Sequence, residues 1–286
     1  MKLIASKSRI DLLVDDCQQH LIDVAGLRPN TCKKWTFFAR LFLQAQFKPK
    51  DSGWPPRQLE PGVLLDFVLQ QGKHYPPGAL QSLASALRSF CRFLCVTGRH
   101  PRDLSAALPA ISGHHREDLP RYLSSTQLKR LLAVFDRRTL VGKRDYAVVL
   151  TLARLGLRAG EVASLTLEDL DWRHGQLRLP AAKGRRERRL PLTEEVGQAL
   201  AAYLRSAPPT GPTRQILRTC RGQRPLRGDW LSRRVGAALA RAGVGGAGRG
   251  AHLLRRTFAT HLVQQGVSLK VVADLLGHAS LSTTQV

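Results

Sequence analysis

Hydrophobic residues recur along this chain mainly in steps of three and four. Between Pro77 and Gly98, Leu80, Leu83, Leu87, Phe90 and Leu94 form one apolar stripe. That spacing predicts an amphipathic helix, opened by Pro77-Gly78 and closed by Gly98. Trp35, Phe37, Phe38, Leu41 and Phe42 mark an earlier helix. Aromatics interleaved with basic residues, here Lys33, Lys34 and Arg40, can stack on nucleic-acid bases, but at helical spacing core packing is the favoured reading. Farther along, Ser124-Ser125-Thr126-Gln127 is a capping-box pattern ahead of Leu128, Leu131 and Leu132. Tyr146 to Leu155 is a mostly apolar helix followed by Gly156. The period then changes. Leu170, Trp172, Leu177 and Leu179 alternate with polar residues around the turn Arg173-His174-Gly175, and a further short strand runs from Arg188 to Leu192. Helical patterns resume at Thr193, near Gly228, at Ala251 and at Ser268. The expected fold is mainly α. A helical domain covers residues 1–110, a polar linker ended by Pro120 covers 111–120, and a mostly helical domain with a small antiparallel sheet covers 121–286.

Composition sharpens this picture. At 286 residues the chain is long enough for two domains, and an apolar content of 43 % is enough for packed cores. Charge is the anomaly: 45 Lys and Arg against 21 Asp and Glu give a net +24 and a pI of about 11.1. Residues 1–110 carry a net +7 and residues 111–286 a net +17. A compact body this basic repels itself, and a polyanion such as DNA, RNA or an acidic membrane relieves that repulsion. The N-terminal apolar run breaks after three residues, too short for a signal peptide, and no stretch approaches the ~18–20 apolar residues of a membrane span. An odd number of cysteines in such a chain, five here, argues for reduced thiols in the cytosol. Cys91 and Cys95, four apart on a helix, read as small core residues, and the adjacent His114 and His115 read as a solvated loop. None of the nine histidines forms a zinc-type cluster with the cysteines.

Four segments carry candidate chemistry. In Gly156-Leu157-Arg158-Ala159-Gly160-Glu161, an Arg flanked by glycines just past a buried helix offers a planar fork for two phosphate oxygens, and Glu161 is three residues on. By itself the segment reads as a surface Arg–Glu pair. Lys183-Gly184-Arg185-Arg186-Glu187-Arg188-Arg189 puts five basic residues at the tip of a hairpin, a ribbon suited to a DNA groove, although a lone charge run is usually a solvated loop. His252 and Arg255, three apart on one helical face, can reach one site. A His donor beside an Arg fork suits a phosphorane-like transition state. In Leu275-Leu276-Gly277-His278, Gly277 ends a helix and exposes His278. Taken singly, each His reads as structural or surface.

Taken together, their order and spacing resemble the tyrosine recombinase, or phage integrase, family. Arg158, Lys183, His252, Arg255 and His278 match its active-site positions. The strings His252 to Leu262 and Leu275 to Gln285 match its pattern almost letter for letter, and Leu119 to Ser124 resembles the usual entry into its catalytic domain. The match is close over residues 119–286 and only of type over 1–110. The resemblance implies a two-domain clamp on double-stranded DNA. A tyrosine attacks the scissile phosphate and leaves a 3′-phosphotyrosyl bond and a free 5′-hydroxyl. Arg158 and Arg255 hold the non-bridging oxygens, and His252 and His278 hydrogen-bond the phosphate. Lys183 protonates the leaving 5′-oxygen, and Glu161 supports Arg158. Lys33, Lys34, Arg40, Arg185, Arg186, Arg188, Arg189 and Arg256 are the expected DNA-contacting set. No cofactor and no metal are implied, and neither is a membrane. Four protomers act on two duplexes, in the cytoplasm. The family places its tyrosine nine residues after the position of His278, which is position 287 in this numbering, while the sequence runs to Val286. The chain alone is therefore also expected to suit a relative that occupies DNA sites without cutting.

Overall fold

A computed structural model of the chain describes residues 7–47, 57, 59–111, 122–181, 187–208, 214–220, 224–244 and 250–277. The chain divides into two compact units, Met1–Arg116 and Glu117–Val286.

The first unit is built on helices α1 (Arg9–Asp23), α2 (Pro29–Gln46), α3 (Pro61–Gln71) and α4 (Pro77–Val96). Ser8 caps α1 in a reciprocal box with Asp11. The other three helices open with proline, whose missing N–H is an orphan donor there in any case. Leu83, Leu87, Phe90 and Leu94 of the α4 stripe are buried, as their spacing predicts. Phe42 meets Phe67 edge to face at 5.1 Å in the same core. The aromatic series on α2 is split: Phe38 and Phe42 are buried, whereas Phe37 is 56 % exposed. One residue is 100° of helix, enough to carry a ring out of the stripe. Lys34 Nζ donates to Ser82 Oγ at 2.8 Å, Arg40 is ion-paired with Asp11, and Lys33 is exposed. Cys91 is buried and Cys95 half-buried.

The second unit comprises α5 (Ser125–Ala133), α6 (Leu140–Leu155), α7 (Ala159–Ser164), strands β1 (Leu170–Asp171), β2 (Gln176–Leu179) and β3 (Arg188–Pro191), then α8 (Glu194–Ser206), α9 (Gly228–Arg241), α10 (Ala251–Gln264) and α11 (Leu269–Leu276). The capping box forms as expected, with Ser124 accepting from the Gln127 N–H at 3.2 Å. α6 is the central element, with α8 and α10 packed along it. It begins six residues before Tyr146. Its first turns look polar because they carry Arg144 and Asp145, yet both are buried. Arg144 donates from Nε (2.9 Å) and Nη2 (2.8 Å) to Asp145 Oδ1, Arg234 donates to Asp145 Oδ2, and the Trp230 ring lies under both guanidiniums.

The sheet is antiparallel in the order β1-β2-β3. Leu177 pairs with the buried Leu190, and Arg178 pairs with Arg189 on the outer face. β1 stops at Asp171, so Trp172, read as part of the alternation, lies past the strand and is 47 % exposed. At the entry to this unit the Leu123 N–H donates to the buried Thr257 Oγ1 at 2.9 Å, tying the chain to α10. Among the described residues no helix is long and apolar enough to cross a membrane.

Candidate active site

The site is assembled from the ends of helices. α6 terminates at Gly156 in the left-handed region, φ 60°. A Cβ there would lie 2.4 Å from the Phe258 ring and 2.8 Å from Leu276, so both conformation and space demand glycine. The turn delivers Arg158 to the N-cap of α7. Its backbone N–H donates to Glu161 Oε2 at 2.8 Å and its Nη1 to Glu161 Oε1 at 3.2 Å. Arg255, one turn after His252 on α10, is buried. Its Nη1 donates to the Gly156 carbonyl at 2.7 Å and its Nη2 to the Leu276 carbonyl at 2.6 Å. Those acceptors close α6 and α11. Carbonyls at a helix C-terminus lack intrahelical donors and carry the negative end of the dipole, so a buried cation is well placed on them. Two of the five N–H donors of Arg255 are thereby directed at fixed backbone, which sets the plane of the guanidinium.

Arg188 enters the same cluster from β3. Its Nη1 donates to the Leu276 carbonyl at 2.6 Å and its Nη2 to Glu161 Oε2 at 3.0 Å. Glu161 is thus the carboxylate shared by two arginines. Burial pushes its pKa up, but the Arg158 backbone N–H and the charges of Arg188, Arg158 and Arg255 outweigh that, and the carboxyl is held below its usual range. His252 sits exposed on α10. Desolvation of its ring and the nearby charges of Arg256, Arg255 and Arg158 lower its pKa, so the imidazole stays neutral at neutral pH and can accept a proton.

Of the residues singled out in the sequence, Arg158, Glu161, His252 and Arg255 come together here. Lys183, Arg185, Arg186 and His278 lie outside the described residues, as do His114 and His115. Arg188, placed by sequence among the DNA-facing residues of the ribbon, is turned inward with only 13 % of its side chain exposed. The reason is the strand period: Arg188 shares a face with Leu190, and its partner across the ladder is the buried Leu179. Arg189 points the opposite way and is exposed, and so is Arg256 on α10. Tyr203 is a core residue at 3 % exposure whose phenol is pushed up by burial. Tyr146 is half-buried beneath the Arg137 guanidinium at 4.8 Å. Among the described residues no cluster of His, Cys, Asp or Glu could hold a metal ion.

Two fixed guanidiniums and a neutral imidazole thus gather near one carboxylate, an arrangement with positive charge and hydrogen-bond donors to offer an anion. The phage integrase family profile matches residues 121–286, and the chain belongs to that family. Tyrosine recombinase XerD of Xanthomonas axonopodis pv. citri is 34 % identical over 238 residues, covering 80 % of this chain and 77 % of that protein. Tyrosine recombinase XerA of Thermococcus kodakarensis is 31 % identical over 268 residues, covering 93 % of this chain and 86 % of that protein. The chain spans 68 % of y4rA and 65 % of y4rF, two proteins of Sinorhizobium fredii named as integrase/recombinase, at 33 % and 34 % identity. In fold it resembles XerH recombinase bound to palindromic difH substrate, with a TM-score of 0.75 at 17 % identity over 96 % of this chain and 80 % of that one. A lambda integrase dimer bound to a COC' core site gives 0.73 at 17 % identity, over 96 % of this chain and 76 % of that one.

Proposed function

We propose that the protein is a site-specific DNA recombinase that cuts and rejoins strands through a 3′-phosphotyrosyl intermediate. The observation that carries this reading is the convergence of Arg158, Arg255 and His252 around Glu161 in a member of this family. The family's tyrosine, which the resemblance places at position 287 in this numbering, attacks the scissile phosphorus as neutral His252 takes its proton. Arg158 and Arg255 hold the non-bridging oxygens as charge builds on them, with His278 as a further donor. The P–O5′ bond breaks, and Lys183 gives the leaving oxygen its proton. The bond to tyrosine keeps the ester energy, so the reverse attack by a 5′-hydroxyl reseals a strand without a nucleotide cofactor. By likeness to the lambda integrase dimer bound to a core site, the protein acts on DNA as an oligomer, and the family resemblance implies four protomers on two duplexes. As an enzyme of DNA, it works in the cytoplasm. A protein that only occupies its sites is the less favoured reading, because the relatives are named recombinases and integrases.

The test uses the chain continued through a tyrosine at 287, with a nicked duplex carrying a site recovered by selection for binding. A detergent-stable band whose nucleotide maps to Tyr at that position is expected. Tight, selective binding without a covalent band from that protein would favour the non-cutting reading.

A further inference from the structure

Arg188 belongs to a different part of the machinery than its neighbours in the basic ribbon. It lies five residues beyond Lys183, and Leu276 lies two residues before His278. Its guanidinium joins three elements at once: its own strand β3, Glu161 on α7 and the last carbonyl of α11. That carbonyl is the one that also receives Arg255 Nη2 at 2.6 Å, and that carboxylate is the one that also receives Arg158. The fit is tight. Gly277 adopts φ 64°, and a Cβ on it would come within 1.8 Å of Arg188 Nη1. The guanidinium thus occupies the space a side chain at 277 would need. An arginine whose work is to meet a DNA backbone has no use for such a seat, and Arg189, next in sequence, has none.

We propose that Arg188 is a positioning residue of the recombination site, which bridges Glu161 and the Leu276 carbonyl and thereby fixes the anchors of both Arg158 and Arg255. The proposal rests on the recombinase reading above. It predicts an effect on the chemical step and none on DNA affinity. Loss of the bridge lets the two guanidinium planes drift, and displacement of a reacting group by about 1 Å lowers rates on the order of 100-fold. A lysine keeps the charge but lacks the planar fork that reaches two acceptors.

The experiment compares the tyrosine-287 protein with its Arg188→Gln, Arg188→Lys and Arg255→Ala variants on the nicked selected site. Single-turnover adduct formation at saturating DNA and binding constants across a salt series are the readouts. Arg188→Gln should cleave about 100-fold more slowly, with affinity within about twofold and an unchanged salt slope. Arg188→Lys should recover only part of the rate, and where Arg188→Gln does not fold it supplies the deciding rate. A salt slope reduced by about one, with the saturated rate intact, would make Arg188 a phosphate contact and overturn the proposal. So would parental rates in Arg188→Gln and Arg188→Lys while Arg255→Ala is inactive, an outcome that leaves the recombinase reading standing. A parent that forms no adduct overturns both.

Discussion

Arg255 shows how a single side chain is prepared for chemistry. It is buried, and the backbone carbonyls of Gly156 and Leu276 hold it at 2.7 and 2.6 Å. A carbonyl fixes the direction of the group without cancelling its charge, so the positive field stays available to a phosphate. Removing one preorganised donor of this kind lowers catalysis by about 10²–10³, or roughly 3–4 kcal/mol. Arg255→Ala is therefore expected to lose cleavage by at least that factor while DNA binding, spread over many contacts, changes little. Gel-shift and adduct assays on the same preparation check this. His252 carries the second prediction at this scale. Desolvation and the charges of Arg256, Arg255 and Arg158 lower its pKa, so the ring is mostly neutral at neutral pH and its titration is centred below the ordinary value of 6.5. If the neutral ring takes the nucleophile's proton, the cleavage rate falls as pH drops through the depressed pKa, with its midpoint below the ordinary 6.5. His252→Gln should remove that inflection. A rate that increases on acidification would contradict the role.

The elements explain which parts of this arrangement can be read along the chain. The α4 stripe, the Ser124–Gln127 box and the turns at Gly156 and Gly277 are local patterns, and the structure carries them as the spacing predicts. The start of α6 is not legible in the same way. Its buried Arg144 and Asp145 look like surface residues until Arg234, 89 positions away from Asp145, is folded against them. Arg188 is hidden for the same reason. Its acceptors lie 27 and 88 residues away, and the basic run around it suggests a solvated ribbon, although alternation with Leu190 is the signal that turns it inward. The glycine at 156 is where local pattern and tertiary contact coincide. A side chain there meets positive φ together with the Phe258 ring and Leu276. Gly156→Ala is expected to destabilise the protein by about 2–4 kcal/mol, combining backbone strain with overpacking. Thermal unfolding measures this, and a Tm within a degree of the parent would mean that α6 does not end as described.

For the molecule as a whole, the proposed function assigns the encounter with DNA to overall charge and the reaction on it to the arginine cluster. A net +24 gathered chiefly in residues 111–286 predicts binding to duplex DNA that weakens steeply with salt. Six neutralised phosphates correspond to a slope of log Kobs against log salt near about −5, and a slope close to zero would exclude phosphate-dominated binding. The central claim is narrower: Arg158 and Arg255, held on helix ends around Glu161, act by neutralising the charge of the scissile phosphate. Replacing that phosphate with an uncharged methylphosphonate, in the nicked site and with the tyrosine-287 protein, tests it most directly. Arg255→Ala should cleave the methylphosphonate at a rate near the parent's while remaining at least about 100-fold impaired on ordinary phosphate, since the charge it would have met is gone. Equal impairment on both substrates would show that Arg255 does something other than balance charge, and would contradict the account.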